Sequence, residues 1–181
     1  MKKPLETGLI GGIEKRDISV VEYDPTWPEK FSEQENILRL ALGDTALALE
    51  HIGSTAVPGL AAKPIIDILL VVQDPSKEEL YLPQLMAAGY KLRVREPEYD
   101  EHRMVRTSNK DVHIHIYPPT SSEVEKYRLV RDELRQNDEL RQKYGALKQE
   151  LASRDWTDMN AYSVAKTGVI DEIIAAARVR S

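Results

Sequence analysis

The run PIIDILLVV, residues 64–72, constrains the fold more than any other stretch of this chain. Seven of its nine residues are Ile, Leu or Val, and they do not alternate with polar ones. That pattern belongs to a strand covered on both faces. Such a strand requires layers on each side, so a sheet flanked by helices is implied. Asp67 is the exception within the run. A lone buried carboxylate costs several kcal/mol unless it is paired or binds a metal. It must therefore reach a strand end, a basic partner or a polar cavity. An ion pair, or a cap on the preceding loop, is the structural reading; a ligand or metal site is the functional one.

The remaining pattern is consistent with one domain, which the 181 residues are long enough to fill. A strand is predicted over 18–23, then a helix from Trp27-Pro28 to Leu42 with Gly43 as its stop. Its buried face would come from Phe31, Ile37, Leu38 and Leu42. Strands follow at 46–52 and 64–72, and a helix from Asp74-Pro75-Ser76 to Gly89. Alternating segments at 90–96, 102–108 and 112–118 read as further strands. Beyond Pro118-Pro119 the period becomes helical, opened by a Ser122/Glu125 capping box. Helices to about 137, over 138–153 and over about 157–178 would complete the chain. The expected class is α+β, a mixed β-sheet flanked by helices with a C-terminal helical segment. Residues 1–17 read as a loose lead-in and 18–181 as the single domain.

Cysteine is absent, which excludes disulfides and thiolate metal sites. No apolar run approaches the roughly 20 residues of a membrane span, and the first residues lack the pattern of a secretory signal. A cytoplasmic protein without a membrane role is expected. The net charge of −5 argues against a general nucleic-acid binder, which carries a basic face. It leaves room for a small phosphorylated or anionic ligand held by a few local cations.

Several residues carry the chemistry such a ligand needs. Gly53-Ser54 precedes the apolar strand, where glycine admits close approach and serine offers a hydroxyl and an N–H to a phosphate. A plain turn between strands is the alternative. Lys63 stands at the end of that loop as a compact positive charge, or as an ordinary surface lysine. His113 and His115 lie two apart on a predicted strand, so both rings share one face. With Asp67 they would form a metal set of two imidazoles and one carboxylate, and His51 is a further candidate. That set suits manganese, zinc or iron better than a magnesium pair. Hydrogen bonding to neighbours is the alternative for the pair. Arg128, Arg131 and Arg135 share a helical face, with Arg131 a candidate ligand group or part of a solvated edge. Tyr162 and Lys166, one turn apart on the last helix, pose the same choice.

The stretches VVEYDPTWPEKF, LEHIGSTAVPGLAAKPIIDILLVV, VHIHIYPP, LVRDELRQNDELRQKYGALKQELA and AYSVAKTGVIDEII resemble the GrpB (UPF0157) family, from about residue 18 to 175. The resemblance implies the nucleotidyltransferase superfamily of DNA polymerase beta type. There a Gly-Ser loop grips nucleotide phosphates, and carboxylates spaced Asp-x-Asp plus a third on a later strand hold two magnesium ions. Gly53, Ser54 and Asp67 match this pattern, whereas the second carboxylate position holds Leu69. His113 or His115 would stand where the third is expected. The resemblance therefore implies a divergent nucleotidyltransferase, with an NTP as substrate, a small acceptor and catalytic Asp67, His113 and His115. The alternative is a binder or sensor of a nucleotide or other small anion that uses the same pocket without turnover.

Overall fold

The apolar run becomes an interior strand of a five-stranded sheet in the computed structural model, which describes residues 8–14, 18–154 and 159–181. The strands are β1 (Ala48–Ile52), β2 (Ile66–Val71), β3 (Tyr90–Glu96), β4 (His102–Thr107) and β5 (Val112–Tyr117). The helices are α1 (Trp27–Leu42), α2 (Leu82–Ala87), α3 (Ser122–Gln136), α4 (Asp138–Ala152), α5 (Met159–Ala165) and α6 (Thr167–Arg180). The sheet order is β1-β2-β5-β4-β3, with β2 and β5 parallel and every other neighbouring pair antiparallel. This is the mixed sheet flanked by helices that the residue pattern predicts.

Strand alternation divides the sheet into two unlike faces. Ile66, Ile68 and Leu70 of β2 and Val112, Ile114 and Ile116 of β5 point to one side, where they pack with Trp27, Leu38 and Leu42 of α1 and Leu85 of α2. The opposite face carries Asp67, Leu69 and Val71 beside His113, His115 and Tyr117, because the parallel register sets Asp67 next to His113 and Leu69 next to His115. Val124 and Tyr127 of α3 cover part of that second face. A third apolar cluster joins Val57 and Leu60, in the loop after β1, to Leu134, Leu140, Tyr144 and Ile173 of the C-terminal helices. It fixes α4 and α6 above the loop that leads into β2.

Several expectations change in detail. Residues 18–23 form no strand; Val21 makes a single bridge to Ala62. The helix expected over 74–89 is instead a tight turn at Glu78–Leu80 followed by the short α2. Pro83 explains this, since proline lacks an N–H and is accommodated in a helix's first turn rather than its interior. The cap of α3 is Ser121 rather than Ser122, with its Oγ accepting from the Glu123 N–H at 3.2 Å. The last helical stretch is interrupted at Lys166, two residues before the poor helix former Gly168; residues 155–158 lie outside the described ones. Ile37 is 41% exposed and does not join Leu38 and Leu42 in the core.

Part of the segment expected as a lead-in is docked. Leu9 bridges to Val94, and the N–H groups of Ile10 and Arg95 bond to Arg93 and Gly8 carbonyls, each at 2.8 Å, along the edge of β3. A strand edge left bare is a template for unwanted pairing, so this strap has a structural use. Farther on, Glu14 accepts from both terminal nitrogens of Arg106 at 3.0 and 2.7 Å. Those bonds hold its carboxyl down to about 2. Among the described residues no helix is long and apolar enough to cross a membrane.

Candidate functional site

The loop between β1 and β2 delivers the first elements of the site. Gly53 has φ 72° and ψ −171°, a region open essentially to glycine alone. A Cβ there would lie 2.9 Å from Asp67 Oδ2, so the loop and the carboxylate touch only because no side chain intervenes. Gly53→Ala is expected to cost about 2–3 kcal/mol from backbone strain and to displace Asp67. Urea denaturation monitored by circular dichroism measures it, and a variant as stable as the parent would contradict this account. His51 secures the loop from the other side. The Thr55 hydroxyl donates to the Ile65 carbonyl at 3.0 Å and thus accepts from His51 Nε2 at 2.9 Å.

Asp67, His113 and His115 come together as the spacing predicts. Three ligand atoms, one from each residue, lie within 4.8 Å of one another. Asp67 Oδ1 is 3.2 Å from His115 Nε2 and 3.9 Å from His113 Nδ1. These separations fit donors that close on one cation through bonds of about 2.0–2.2 Å. The Asp67 side chain is 29% exposed, which keeps the group open to solvent. Burial pushes its pKa up, but the close His115 ring and the nearby His113 and His51 imidazoles offset this and leave it below the usual carboxylate range.

Beside this cluster lie three ammonium groups close enough to act on one another. Lys63 and Lys166 place their Nζ atoms 4.4 and 4.5 Å from the centre of the Tyr162 ring. Lys148 of α4 sits 4.7 Å from the centre of the Tyr144 ring. Its Nζ is buried and makes no hydrogen bond among the described residues. Burial, then the charges of Lys166 and Lys63, bring it down to about 7, with Asp67 opposing them. Burial likewise lowers Lys166, again opposed by Asp67. The Ser54 hydroxyl lies near Tyr144 and holds down a phenol pKa that burial raises, which brings the Gly-Ser loop close to the lysines.

A second line of contacts leaves the cluster along the sheet. His115 Nδ1 is 3.4 Å from His102 Nε2, and His102 Nδ1 is 2.8 Å from Glu96 Oε2. Glu96 and His102 are both buried and adjacent in the β3–β4 register. The His102 ring stacks on Tyr117 with centroids 4.5 Å apart.

Two sequence-predicted members stand elsewhere. His51 alternates to the face opposite Asp67, and its ring stacks on Phe31 at 4.9 Å. Burial lowers its pKa to about 4, and its Nε2 hydrogen is committed to Thr55, so it does not join the metal set. Arg131 lies apart from the lysines. Its guanidinium bonds to Asp132 at 2.7 Å, Glu50 at 3.1 Å and the His51 carbonyl at 3.3 Å. With Arg135, Phe31 and Tyr23 it lines a separate cleft of about 530 Å³. Conversely, sequence reasoning passed over Lys148, Tyr144, His102 and Glu96. For Lys148 a signal existed, since it occupies the apolar stripe of Leu140, Tyr144 and Leu151 on α4.

Comparisons with known proteins bear on the family and the fold. The model of the GrpB protein family matches residues 17–176. The UPF0157 protein SCO7215 of Streptomyces coelicolor is 48% identical over 162 residues, covering 90% of this chain and 85% of its own length. The crystal structure of the conserved protein GrpB from Enterococcus faecalis superposes with a TM-score of 0.77 at 33% identity, over 87% of this chain and 98% of that one. The Cid1 poly(U) polymerase with magnesium and 3′-dATP bound superposes at 0.55 with 15% identity, over 75% of this chain and 44% of that one, a likeness of fold alone.

Proposed function

The chain belongs to the GrpB family and has a nucleotidyltransferase-like fold, and from that premise we propose that it binds a nucleotide or similar small phosphorylated ligand at a divergent, single-metal site. The observation that carries this reading is one convergence. The carboxylate and two imidazoles gather within 4.8 Å, and a buried lysine without a hydrogen-bond partner among the described residues lies close enough to feel the Asp67 charge. A buried ammonium is costly unless an anion compensates it. Lys148, Lys63 and Lys166 together would neutralise a di- or triphosphate, and the Ser54 hydroxyl would bond one of its oxygens.

Asp67, His113 and His115 would hold the cation, and one oxygen with two nitrogens suits manganese, zinc or iron better than magnesium. When bound, it would act as a Lewis acid on a phosphoryl oxygen. The transfer reading has an acceptor hydroxyl attack the α-phosphorus in line. A new P–O bond forms, the bond to the β-phosphate oxygen breaks, pyrophosphate leaves and the hydroxyl proton is lost. The second reading, binding without turnover, is favoured by Leu69. That residue is fully buried with Ile52, Val71, Tyr117 and Val124, where the superfamily pattern would place a metal-binding carboxylate.

Isothermal titration with ATP, GTP and CTP, with manganese or magnesium or neither, tests the binding claim. Pyrophosphate release assayed in parallel tests turnover. Affinity in the range of about 1 μM–1 mM, tighter with manganese than magnesium, is expected. No affinity for any triphosphate under any metal condition would defeat the proposal. Binding with no pyrophosphate from any acceptor would select the second reading.

A further inference from the structure

The contacts from Asp67 to Glu96 cross four strands on one face of the sheet, and their hydrogen-bond logic runs in one direction. An ionised carboxylate only accepts hydrogen bonds. Glu96 Oε2, 2.8 Å from His102 Nδ1, therefore requires the His102 hydrogen on Nδ1. With His102 in its neutral form, its Nε2 lone pair faces His115 Nδ1, 3.4 Å away, which then carries the His115 hydrogen. This leaves a lone pair on His115 Nε2, facing the carboxylate oxygen of Asp67 at 3.2 Å. Two acceptors directed at each other need a positive charge between them, either a proton or a metal ion. Glu96 and His102 are paired across the β3–β4 ladder, and Tyr117 stacks on the His102 ring at an interplanar angle of 15°.

We propose that Glu96 and His102 are positioning residues that hold His115 as its Nδ1–H tautomer and keep its Nε2 lone pair on the cation position shared with Asp67 and His113. Partners of this kind commonly orient metal-binding histidines, and losing one typically lowers metal affinity 10–100-fold. The purpose of the relay rests on the single-metal reading, whereas the tautomer it enforces does not.

Long-range 1H–15N spectra of the metal-free protein, recorded at about pH 8 and above, beyond the free imidazole pKa, read the protonation state and the tautomer directly. Zinc and manganese titrations read affinity. Wild type is expected to show His115 protonated on Nδ1. His102→Phe keeps the ring stack on Tyr117 but removes both nitrogens. In that variant the His115 hydrogen is expected to move to Nε2, where Asp67 accepts it, and zinc affinity to fall about 10–100-fold. Glu96→Gln retains an oxygen acceptor and is expected to stay close to wild type in both readouts. Should His102→Phe not fold, Glu96→Leu removes the acceptor while keeping its bulk and carries the same expectation. Wild-type His115 with its hydrogen on Nε2 would overturn the assignment. So would a folded variant with an unchanged tautomer, or one whose tautomer switches at unchanged zinc affinity. An Nδ1–H tautomer in a wild type that binds neither metal would uphold the relay and count against the metal centre instead.

Discussion

Asp67→Asn is expected to lower metal-dependent nucleotide affinity by roughly 100-fold or more, about 3 kcal/mol. The substitution preserves size and shape and removes only the charge. Asp67 supplies the sole carboxylate of the cluster, so its neutralisation leaves two neutral imidazoles to hold a dication. Stability should change far less, by about 1–3 kcal/mol, the usual worth of a hydrogen bond to a charged group. The side chain lies at the solvent-accessible end of β2, and an amide N–H can donate to the His115 Nε2 lone pair. Titration of manganese–ATP into both proteins, beside their thermal unfolding, separates the two effects. Unchanged affinity in a folded variant would remove Asp67 from the binding site.

Lys148→Met should move stability and ligand binding in opposite directions. The buried ammonium faces Lys166 and Lys63, which repel it, Asp67, which attracts it, and the ring of Tyr144. Its pKa falls from an ordinary 10.5 to about 7. Between those values the unfolded chain holds a proton that the folded chain has released, so stability rises with pH across that window. Below about pH 7 the penalty of the buried charge is present in full; near pH 10.5 it has gone. Methionine carries no such penalty. The variant is therefore expected to be more stable by about 1–3 kcal/mol at neutral pH, or several degrees in Tm for a chain of this size. The advantage should fade toward pH 10. Thermal stabilisation by pyrophosphate, about 2.7 kcal/mol when the ligand is at 100 times its Kd, should be strongly reduced in the variant. A destabilised variant that keeps its full response to pyrophosphate would refute the phosphate pocket. Natural sites that retain a costly charge commonly do so for function rather than for the fold.

The division between what was legible in the sequence and what was not follows from the range of the interactions involved. Within one element, periodicity alone sets direction. The unbroken aliphatic run announced an interior strand, the i, i+2 spacing of His113 and His115 placed both rings on one face, and Asp67 stood out because nothing else in its strand is charged. Gly53 and Ser54 were recognisable from residue type, since glycine admits close approach and serine offers a hydroxyl and an N–H. Contacts between elements follow a different rule. Glu96 and His102 meet because the β3–β4 hairpin adopts one register after an irregularity between Leu92 and Val94, which no local pattern reports. Lys148 reaches the loop because Leu140 and Tyr144 of α4 pack with Val57 and Leu60. Its place on an apolar stripe was visible, but the destination of that stripe was not. Arg131 and His51 carried suitable chemistry at suitable intervals and still went elsewhere. Glu50 engages the first, and strand alternation turns the second to the opposite face. Residue type and local period thus determined which groups could act and how each element presents them, while nonlocal packing decided which of those groups share a site.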